Sequence, residues 1–298
     1  MILVDMNQIS VASVMMHLNM TKADKVDESM VRHMILNSLR MYRERFREEY
    51  GELVICYDSK HYWRRDYFPQ YKNNRKKTRD SSGHDWDAIF ECLNNIKAEM
   101  IEFFPYKVLE VYGAEADDII AALCGELEFD NGKTLILSGD KDFIQLHKYR
   151  NVTQYSPITK KFVNGIDPDE YLYEHILKGD VSDGVPNVLS VDNTFTDGLR
   201  QKPLGKKKIA EWAGPMCEQF LPNDEVRRNY QRNKKLIDLK ESPKELYLEC
   251  LKAYQEAPEG NRSKLLNYFI EKRLRNLMES IGDFQYDTAY FRGLEQSC

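Results

Sequence analysis

The sequence TLILSGDKD, residues 134–142, decides the fold prediction, because a short apolar run leads directly into a segment with two acids. The same order recurs at residues 2–5 (ILVD) and 53–58 (LVICYD). A fourth run, residues 106–111, is followed at once by the acid-rich segment 113–118. Short runs of β-branched and other apolar residues are typical of parallel strands that are buried on both faces. The four runs therefore predict a parallel sheet whose strands end in acids.

Helical patterns lie between these runs. Apolar residues recur at three- and four-residue steps over residues 31–46 and 86–100, and a third helical pattern covers residues 119–127. Asp85 is the predicted N-cap of the second pattern, and Pro105 is its predicted stop. Alternation of strands and helices predicts an α/β fold, in which helices flank a mostly parallel central sheet.

Strand patterns fade in the second half of the chain, and helix starts follow instead. Asp167-Pro168 and Ser242-Pro243 each combine an N-cap residue with a proline at the first helical position. The expected divisions of the chain are an α/β core over residues 1–165, a helical region over residues 166–284 and a tail over residues 285–298.

Composition excludes several classes of protein. The chain has 298 residues, 42% hydrophobic and 31% charged, which is typical of folded globular proteins rather than disordered ones. No apolar run approaches the ~18 residues of a membrane span, and the first residues lack the features of a secretory signal. The six cysteines form no C-x-x-C pair, which argues against a zinc knuckle and a disulfide framework. We therefore expect a protein of the reducing cytoplasm that does not enter a membrane.

The charge is unevenly distributed. The net charge of −5 taken alone argues against a nucleic-acid partner, but residues 60–79 carry eight cations and one anion. Smaller basic groups lie at residues 206–208 and 227–235. A single basic run is more often a solvated helix face, but three runs, one of them interleaved with rings that can stack on bases, favour contact with a phosphate backbone. These rings are Tyr62, Trp63, Tyr67, Phe68 and Tyr71.

Acids gather at one edge of the predicted sheet. The carboxyl ends of parallel strands meet at the same edge, where α/β proteins bind their ligands. Two like charges ~4 Å apart repel by about 4 kcal/mol at an effective dielectric constant of 20, so such a group must take up protons or hold cations. The acids placed at this edge are Asp5, Asp58, Glu115, Asp117, Asp140 and Asp142, with Asp183 from the loop 178–184 and, as weaker candidates, Asp118 and Asp180.

The type of these ligands indicates the metal and the chemistry. Oxygen ligands without a nearby histidine or cysteine select Mg²⁺ or Mn²⁺ rather than zinc. A carboxylate cage for two such ions suits in-line displacement at a phosphodiester, because one ion activates water while the other stabilises the leaving oxygen. A lone Asp after a strand is more often a helix cap. Five segments with the same pattern favour a two-ion site over five separate caps.

Seven motifs stand in a fixed order along the chain: LVD at 3–5, YDSK at 57–60, YWRRD at 62–66, YKNNR at 71–75, EADD at 115–118, SGDKDFIQL at 138–146 and GDVSDGVP at 179–186. In this order and spacing, the motifs resemble those of the 5′-nuclease superfamily, which contains flap endonucleases and the 5′-nuclease domain of bacterial DNA polymerase I. The resemblance is greatest to the ribonucleases H of T-even-type bacteriophages and covers nearly the whole chain. It implies a Mg²⁺-dependent 5′→3′ exonuclease and flap endonuclease with ribonuclease H activity, which removes RNA primers and adjacent DNA from lagging-strand fragments during replication.

The resemblance also implies roles for the site residues. Residues 60–84 would form a basic arch over the site, where Lys72 and Arg75 reach the scissile phosphate, and a helix–three-turn–helix-like element starting near Asp183 would grip duplex DNA and hold K⁺. The first ion would lie among Asp5, Asp58, Glu115, Asp117 and Asp140, and the second ion between Asp142 and Asp183. The expected DNA-binding cations are Lys76, Lys77 and Arg79 in the arch and Lys206, Lys207 and Lys208 at the second helix of the element.

Partners follow from the same resemblance. The expected substrates are RNA–DNA hybrids and nicked, flap or forked duplex DNA, with Mg²⁺ as the cofactor and Mn²⁺ as its substitute. A single-strand-binding protein and a sliding clamp are expected partners of a monomer, in the host cytoplasm if the gene is a phage gene. The tail 285–298 either replaces the clamp-contacting N-terminal segment of the phage relatives or is inert, which is the default for a terminus.

Two other functions remain open at this stage. A non-catalytic DNA-junction binder would share the fold, but a complete set of clustered acids is destabilising unless it holds metal. A Mg²⁺ phosphatase would use Asp140 and Asp142 as nucleophile and acid. Such enzymes place that pair after the first strand, whereas here it follows the fourth run.

Overall fold

The computed structural model describes residues 1–22, 25–126, 132–258 and 264–284, and a six-stranded sheet lies at its centre. Its strands are β1 (Ile2–Asp5), β2 (Leu53–Tyr57), β3 (Lys107–Glu110), β4 (Thr134–Leu137), β5 (Val152–Ser156) and β6 (Lys161–Phe162). The order across the sheet is β3-β2-β1-β4-β5-β6, with every pair parallel except β5 and β6. The prediction of a mostly parallel sheet is confirmed. The sequence analysis did not predict β5 and β6.

Helices flank this sheet, as predicted, and dominate the chain after β6. The α-helices are α1 (Met6–Thr21), α2 (Glu28–Tyr50), α3 (Trp63–Tyr67), α4 (Asn73–Ser81), α5 (Trp86–Phe103), α6 (Ala116–Glu126), α7 (Pro168–Lys178), α8 (Lys206–Trp212), α9 (Cys217–Phe220), α10 (Asp224–Ile237), α11 (Lys244–Glu256), α12 (Leu265–Glu271) and α13 (Arg275–Met278). Short 3₁₀ helices cover Lys141–Lys148, Leu239–Glu241 and Ile281–Phe284. A turn-rich segment, residues 179–205, lies between α7 and α8. That this segment and α8 form a duplex-binding element stays a prediction.

The helix ends follow local capping chemistry. The Asp85 carboxylate accepts a hydrogen bond from the Ala88 amide (3.1 Å) at the start of α5, and Asp167 accepts from two amides at the start of α7, as predicted. The prediction at Ser242-Pro243 is wrong, because α11 begins at Lys244. The Ser242 hydroxyl instead donates to the buried carboxylate of Asp118 at 2.5 Å, since that carboxylate needs hydrogen-bond donors when removed from water.

Buried apolar side chains form three clusters among the described residues. The first lies on one face of the sheet, under α1, α2, α5, α12 and α13, and the second lies on the other face, under α6 and α11. The third joins α7, α8 and α10 and includes Phe68 and Tyr71. The base of the predicted arch therefore packs against the helical region.

The composition led to one expectation about membrane-spanning helices and one about the cysteines. Within the described ranges, no helix combines the length and the apolar character that crossing a membrane requires. The cysteines in those ranges are all free and buried.

Candidate metal centre

The predicted acids lie together at the carboxyl edge of the sheet. The strand order reverses between the neighbours β1 and β4, and this kind of switch point forms the crevice in which α/β proteins bind ligands. Asp5 ends β1, Asp58 follows β2, and Glu115 and Asp117 lie at the start of α6 after β3. Asp140 and Asp142 follow β4 at the start of a 3₁₀ helix.

Asp5 is held in place at the centre of this crevice. Its carboxylate accepts hydrogen bonds from the Gln8 amide (3.2 Å) and from the buried Ser138 hydroxyl (2.8 Å), and the residue is only 8% exposed. Burial, with the nearby charges of Asp58 and Asp140, raises the pKa of Asp5 to about 7, although the hydrogen bonds from Ser138 and Gln8 oppose the rise. The crevice therefore opposes a full negative charge unless a cation is present.

Asp117 and Asp140 also have raised pKa values. Burial raises the pKa of Asp117 well above its ordinary value, and the charges of Asp140, Asp5 and Glu115 add to that effect. Desolvation in the crevice, with the neighbouring charge of Asp142, raises the pKa of Asp140 to about 6. Carboxylates that repel one another in this way fit a divalent cation with oxygen ligands. The residues present therefore suit the metal that the sequence predicts.

A second group of ligand atoms adjoins the first and contains a histidine. One ligand atom each of Asp142, His175 and Asp180 lies within 4.8 Å of the others. The His175 Nε2 atom is 3.0 Å from Asp142 Oδ1 and 4.0 Å from Asp180 Oδ2. The expectation of no histidine near the acids is therefore wrong. Sequence analysis missed His175 because it lies inside a helical pattern, and only its place five residues before Asp180 relates it to the motif.

A glycine shapes the loop that carries Asp180. Gly179 has φ +67°, and a Cβ atom there would lie 2.4 Å from the Val185 carbonyl oxygen, so a larger residue would force the backbone to move. After this turn, the Asp180 carboxylate accepts hydrogen bonds from the amides of Ser182 (2.7 Å) and Asp183 (3.3 Å). The loop thus presents both of its acids toward the crevice.

Glu115 and Asp183 are paired with the two predicted catalytic cations. The Lys72 ammonium contacts Glu115 and lies 3.6 Å from Asp183, and the Arg75 guanidinium donates to Asp183 at 2.5 Å. The Tyr71 hydroxyl lies 2.8 Å from Asp183 Oδ2 and 3.1 Å from Glu115 Oε2. Burial alone would raise the pKa of Asp183, but the charges of Lys72 and Arg75 and the hydrogen bonds from Tyr71 and Arg75 together hold that pKa below its ordinary value.

Asp118, a weaker candidate for a metal ligand, stabilises the segment that carries Glu115 and Asp117. Its carboxylate accepts hydrogen bonds from Arg64 (2.8 Å), from the Glu115 amide (3.0 Å) and from Ser242. Burial opposes its ionisation, but Arg64 and these hydrogen bonds keep its pKa below the ordinary value. Asp118 therefore fixes the start of α6, on which Glu115 and Asp117 depend.

The basic segment 60–84 is less exposed than its sequence indicates. Arg64 is 2% exposed and bonds to both Glu115 and Asp118, while Phe68 and Tyr71 belong to the third apolar cluster. The interpretation of these two rings as base-stacking groups is therefore wrong, because their side chains stabilise the fold. Tyr67, with 49% exposure, remains accessible.

The remaining predicted DNA-binding cations differ in exposure. Lys76 and Lys77 are exposed on α4, while Arg79 is half-buried over the Phe90 ring at 5.6 Å. Lys206, Lys207 and Lys208 are exposed on the first turn of α8. The third basic group, residues 227–235, is largely paired within the protein, because Arg228 and Arg232 both bond to Asp192.

The raised pKa values predict how stability depends on pH. A carboxyl group whose folded pKa lies above its unfolded value stabilises the fold at low pH and loses that contribution as pH rises through the folded pKa. For Asp5 and Asp140, the window is about pH 4 to 7. We therefore expect the protein in EDTA to have a lower Tm at pH 8 than at pH 5.

Saturating Mg²⁺ should reverse this loss. Ligand at about 100 times its Kd contributes about 2.7 kcal/mol, so the Tm at pH 8 should rise by roughly 5 °C or more. At pH 5 the rise should be smaller, because protons compete for the same oxygens. Calorimetric scans at both pH values, with EDTA or Mg²⁺, measure the effect, and an unchanged Tm at pH 8 on adding Mg²⁺ would contradict it.

Comparison with known proteins identifies the family. A family model for the N-terminal resolvase-like domain of 5′–3′ exonucleases matches residues 1–175, and a model for the C-terminal domain of T4 ribonuclease H matches residues 168–284. Ribonuclease H of Enterobacteria phage T4 is 36% identical over 294 residues, which cover 95% of this chain and 95% of that protein. The 5′–3′ exonuclease of Buchnera aphidicola subsp. Acyrthosiphon pisum is 34% identical over 146 residues, or 46% of this chain and 48% of that protein.

A solved structure confirms the fold. The flap endonuclease of bacteriophage T5, crystallised as a pseudo-enzyme–product complex with DNA and metal ions, matches with a TM-score of 0.57 and 17% identity, covering 92% of this chain and 97% of that one. The family model spans more than half of the chain, and the T4 relative aligns along almost all of it. The chain therefore belongs to the 5′–3′ exonuclease family, as the sequence motifs had indicated, and is a phosphodiester-cleaving nuclease.

Proposed function

We propose that the chain is a Mg²⁺-dependent 5′→3′ exonuclease and flap endonuclease with ribonuclease H activity, which removes RNA primers and adjacent DNA from lagging-strand fragments. The observation that carries this proposal is the crevice itself, where burial and the mutual repulsion of acids from three strand ends and α6 raise the pKa of Asp5, Asp117 and Asp140. Exposed cations on α4 and α8 would serve a polyanionic substrate. The names of the T4, Buchnera and T5 relatives support the same substrate class.

The proposed metal ligands are the acids of the crevice. When bound, two divalent ions supply Lewis acidity to the attacking water and to the departing oxygen. The chain's own contribution is to hold the oxygen ligands in a fixed arrangement, for which the hydrogen bonds from Ser138 to Asp5 and from the Ala116 amide to Asp58 are suited. The proposed ligands are Asp5, Asp58, Glu115, Asp117 and Asp140 for the first ion and Asp142 and Asp183 for the second, with Mn²⁺ able to replace Mg²⁺.

Lys72 and Arg75 are the proposed phosphate contacts. Lys72 is 9% exposed, and its ammonium and the Arg75 guanidinium lie against Glu115 and Asp183. Their positive charges are therefore fixed at the border of the crevice. A scissile phosphate bound beside the acids would meet both cations, which would stabilise the charge that develops in the transition state.

The two basic surfaces are proposed to bind DNA together. The Lys77 ammonium donates to the Thr196 carbonyl oxygen (3.0 Å), and the side-chain Nδ2 of Asn74 donates to the Val181 carbonyl oxygen (2.7 Å). These bonds connect α4, in the proposed arch at residues 60–84, to the turn-rich segment that precedes α8. A single substrate would thus contact Lys76, Lys77 and Arg79 of the α/β core (residues 1–165) and Lys206, Lys207 and Lys208 of the helical region (residues 166–284).

Side chains of α10 bond to part of the turn-rich segment in which the K⁺ site is proposed. Arg232 and Asn233 both donate hydrogen bonds to the Pro186 carbonyl oxygen, at 2.8 and 2.9 Å, and Asn229 donates to the Val188 carbonyl oxygen at 3.1 Å. These backbone oxygens therefore already have donors from side chains of α10. Only the remaining carbonyl groups of the segment would be available to a cation.

Replacing Lys206, Lys207 and Lys208 together with Gln should weaken duplex binding at low salt. Each lost phosphate contact lowers the slope of log K against log [salt] by about 0.9, so the slope should fall by up to about 3. Fluorescence anisotropy with labelled duplex over a range of KCl concentrations measures it. Lys133→Gln is the control, because that exposed lysine precedes β4 at the opposite edge of the sheet. A slope equal to that of the wild type would contradict the assignment.

A non-catalytic junction binder of the same fold is the alternative function. Binding of forked DNA in EDTA together with no cleavage in Mg²⁺ would favour it. The pairing of Lys72 and Arg75 with Glu115 and Asp183 is the one observation on its side, since those acids are neutralised without metal. The other crevice acids are not neutralised in this way, and so we prefer the catalytic proposal.

A substrate panel tests the proposed function. A 5′-flap duplex, a nicked duplex and an RNA-primed duplex, each labelled at either end, would be incubated with the protein and Mg²⁺, and the product ends mapped. We expect short 5′-terminal products from all three and no reaction in EDTA. Cleavage that starts from the 3′ end would contradict the proposal.

We also propose that the protein acts as a monomer in the cytoplasm, that of the host cell if the gene is a phage gene. A single-strand-binding protein and a sliding clamp are its proposed partners. The tail 285–298, a candidate for clamp contact, lies outside the described residues.

A further inference from the structure

We propose that His175 is a nitrogen ligand of the second divalent ion, in a site that it forms with Asp142 and Asp180, and that this ligand makes the site prefer Mn²⁺ to Mg²⁺. The inference rests on the proposed two-ion function and changes the ligands of its second site. It adds a histidine that the sequence analysis missed and gives Asp180 a direct role.

The three side chains come from different elements that meet at one point. Asp142 lies in the first turn of the 3₁₀ helix Lys141–Lys148, His175 lies in the last turn of α7, and Asp180 follows the Gly179 turn. The helix α7 packs against this 3₁₀ helix, which brings their ends together. The ligand atoms lie within 4.8 Å of one another, a separation that leaves room for one cation between them. The ends of two helices and the turn at Gly179 thus provide the three ligands.

The imidazole nitrogen faces the two carboxylates of the proposed site. The His175 Nε2 atom is buried and lies 3.0 Å from Asp142 Oδ1 and 4.0 Å from Asp180 Oδ2. One imidazole nitrogen and two carboxylates that face one another are a ligand set that a divalent transition-metal ion can take. A metal ion between the imidazole and the carboxylates would replace the contact between His175 and Asp142.

Charge pairing distinguishes this site from Asp183. Asp183 already bonds to Tyr71, Lys72 and Arg75. Within the described ranges, neither Asp142 nor Asp180 forms an ion pair with a lysine or an arginine, and His175 is their basic neighbour. The carboxylates near the second ion's position that lack a lysine or arginine partner are therefore Asp142 and Asp180.

The ligand type then sets the metal preference. Mg²⁺ prefers oxygen ligands in a strict octahedron, whereas imidazole suits transition-metal ions. A site with one nitrogen and two carboxylates therefore favours Mn²⁺ over Mg²⁺. The first site, which has oxygen ligands only, should discriminate less.

Electron paramagnetic resonance of Mn²⁺ tests this inference without relying on activity. Titration of the full-length protein with Mn²⁺ should reveal two bound ions, and pulsed spectra should show ¹⁴N coupling from a directly bound imidazole. His175→Gln should lose that coupling and bind the second Mn²⁺ about tenfold more weakly. His33→Gln is the control, because that half-buried histidine lies on α2, which carries none of the site acids, and should behave as the wild type does.

The outcomes separate this inference from the proposed function. Two bound Mn²⁺ ions and normal cleavage with no ¹⁴N coupling in the wild type would overturn the role of His175 and leave the proposed function standing. Retention of the coupling in His175→Gln would overturn it as well. Absence of both Mn²⁺ binding and cleavage in the wild type would overturn the proposed function and this inference together. The wild-type spectrum decides the question even if the variant fails to fold.

Discussion

Asp140→Asn should lower the rate of cleavage by about a thousandfold or more and leave the affinity for forked DNA within about twofold of the wild type. The substitution keeps the size of the side chain but removes one charge from the centre of the crevice, where Asp140 adjoins both Asp117 and Asp142. Loss of about 4 kcal/mol of transition-state stabilisation corresponds to this factor. The exposed cations that would bind the backbone are unchanged, so binding persists. Asp117→Asn should behave in the same way.

Single-turnover cleavage in Mg²⁺ and gel shifts in EDTA measure the two quantities separately. Asp169→Asn is the control, because Asp169 is an exposed acid in the first turn of α7, at the opposite end of that helix from His175. It should cleave and bind as the wild type does. Wild-type cleavage by either Asp117→Asn or Asp140→Asn would show that the site is assigned wrongly.

Arg64→Met should reduce the free energy of unfolding by about 3–5 kcal/mol, the usual result of removing one partner from a buried ion pair. The Arg64 guanidinium is buried and donates to Glu115 (3.0 Å), Asp118 (2.8 Å) and the Leu236 carbonyl oxygen (2.9 Å). Methionine would fill much of the space but leave two carboxylates and a carbonyl oxygen without this donor. The start of α6 should lose its fixed position, and cleavage should fall with it.

Urea denaturation followed by circular dichroism measures the loss of stability. Arg65→Met is a matched control from the next position, since Arg65 is exposed and lies over the Tyr62 ring at 5.1 Å. Its effect should stay within about 0.5 kcal/mol, as for most surface substitutions. Equal losses in the two variants would contradict the role given to the buried pair.

The order of strands and acids along the chain was sufficient to predict where the crevice lies. Parallel strands bring their carboxyl ends to one edge, so Asp5, Asp58 and Asp140 had to converge once β1, β2 and β4 were recognised. This inference needs no knowledge of side-chain packing. The helix α1 escaped prediction for the opposite reason, because its buried face includes Ser10, Ser13 and His17 and so lacks a continuous apolar stripe.

The sequence alone did not predict which side chains contact one another in the folded protein. Asp117 and Asp118 are adjacent, but the first adjoins the other crevice acids and the second bonds to Arg64, behind the site. Arg64 and Lys72 look like members of an exposed basic run, and their burial depends on acids some 40 to 50 residues away. The position of His175 likewise depends on how α7 packs against the 3₁₀ helix. Such contacts are tertiary, and local patterns do not encode them.

The central claim is that the acids of the crevice hold a pair of divalent ions. Anomalous diffraction from crystals soaked in Mn²⁺ tests it most directly. We predict two peaks, one among Asp5, Asp117 and Asp140 and the other beside Asp142 and Asp180. A map with no peak at the carboxyl edge of the sheet would contradict the account.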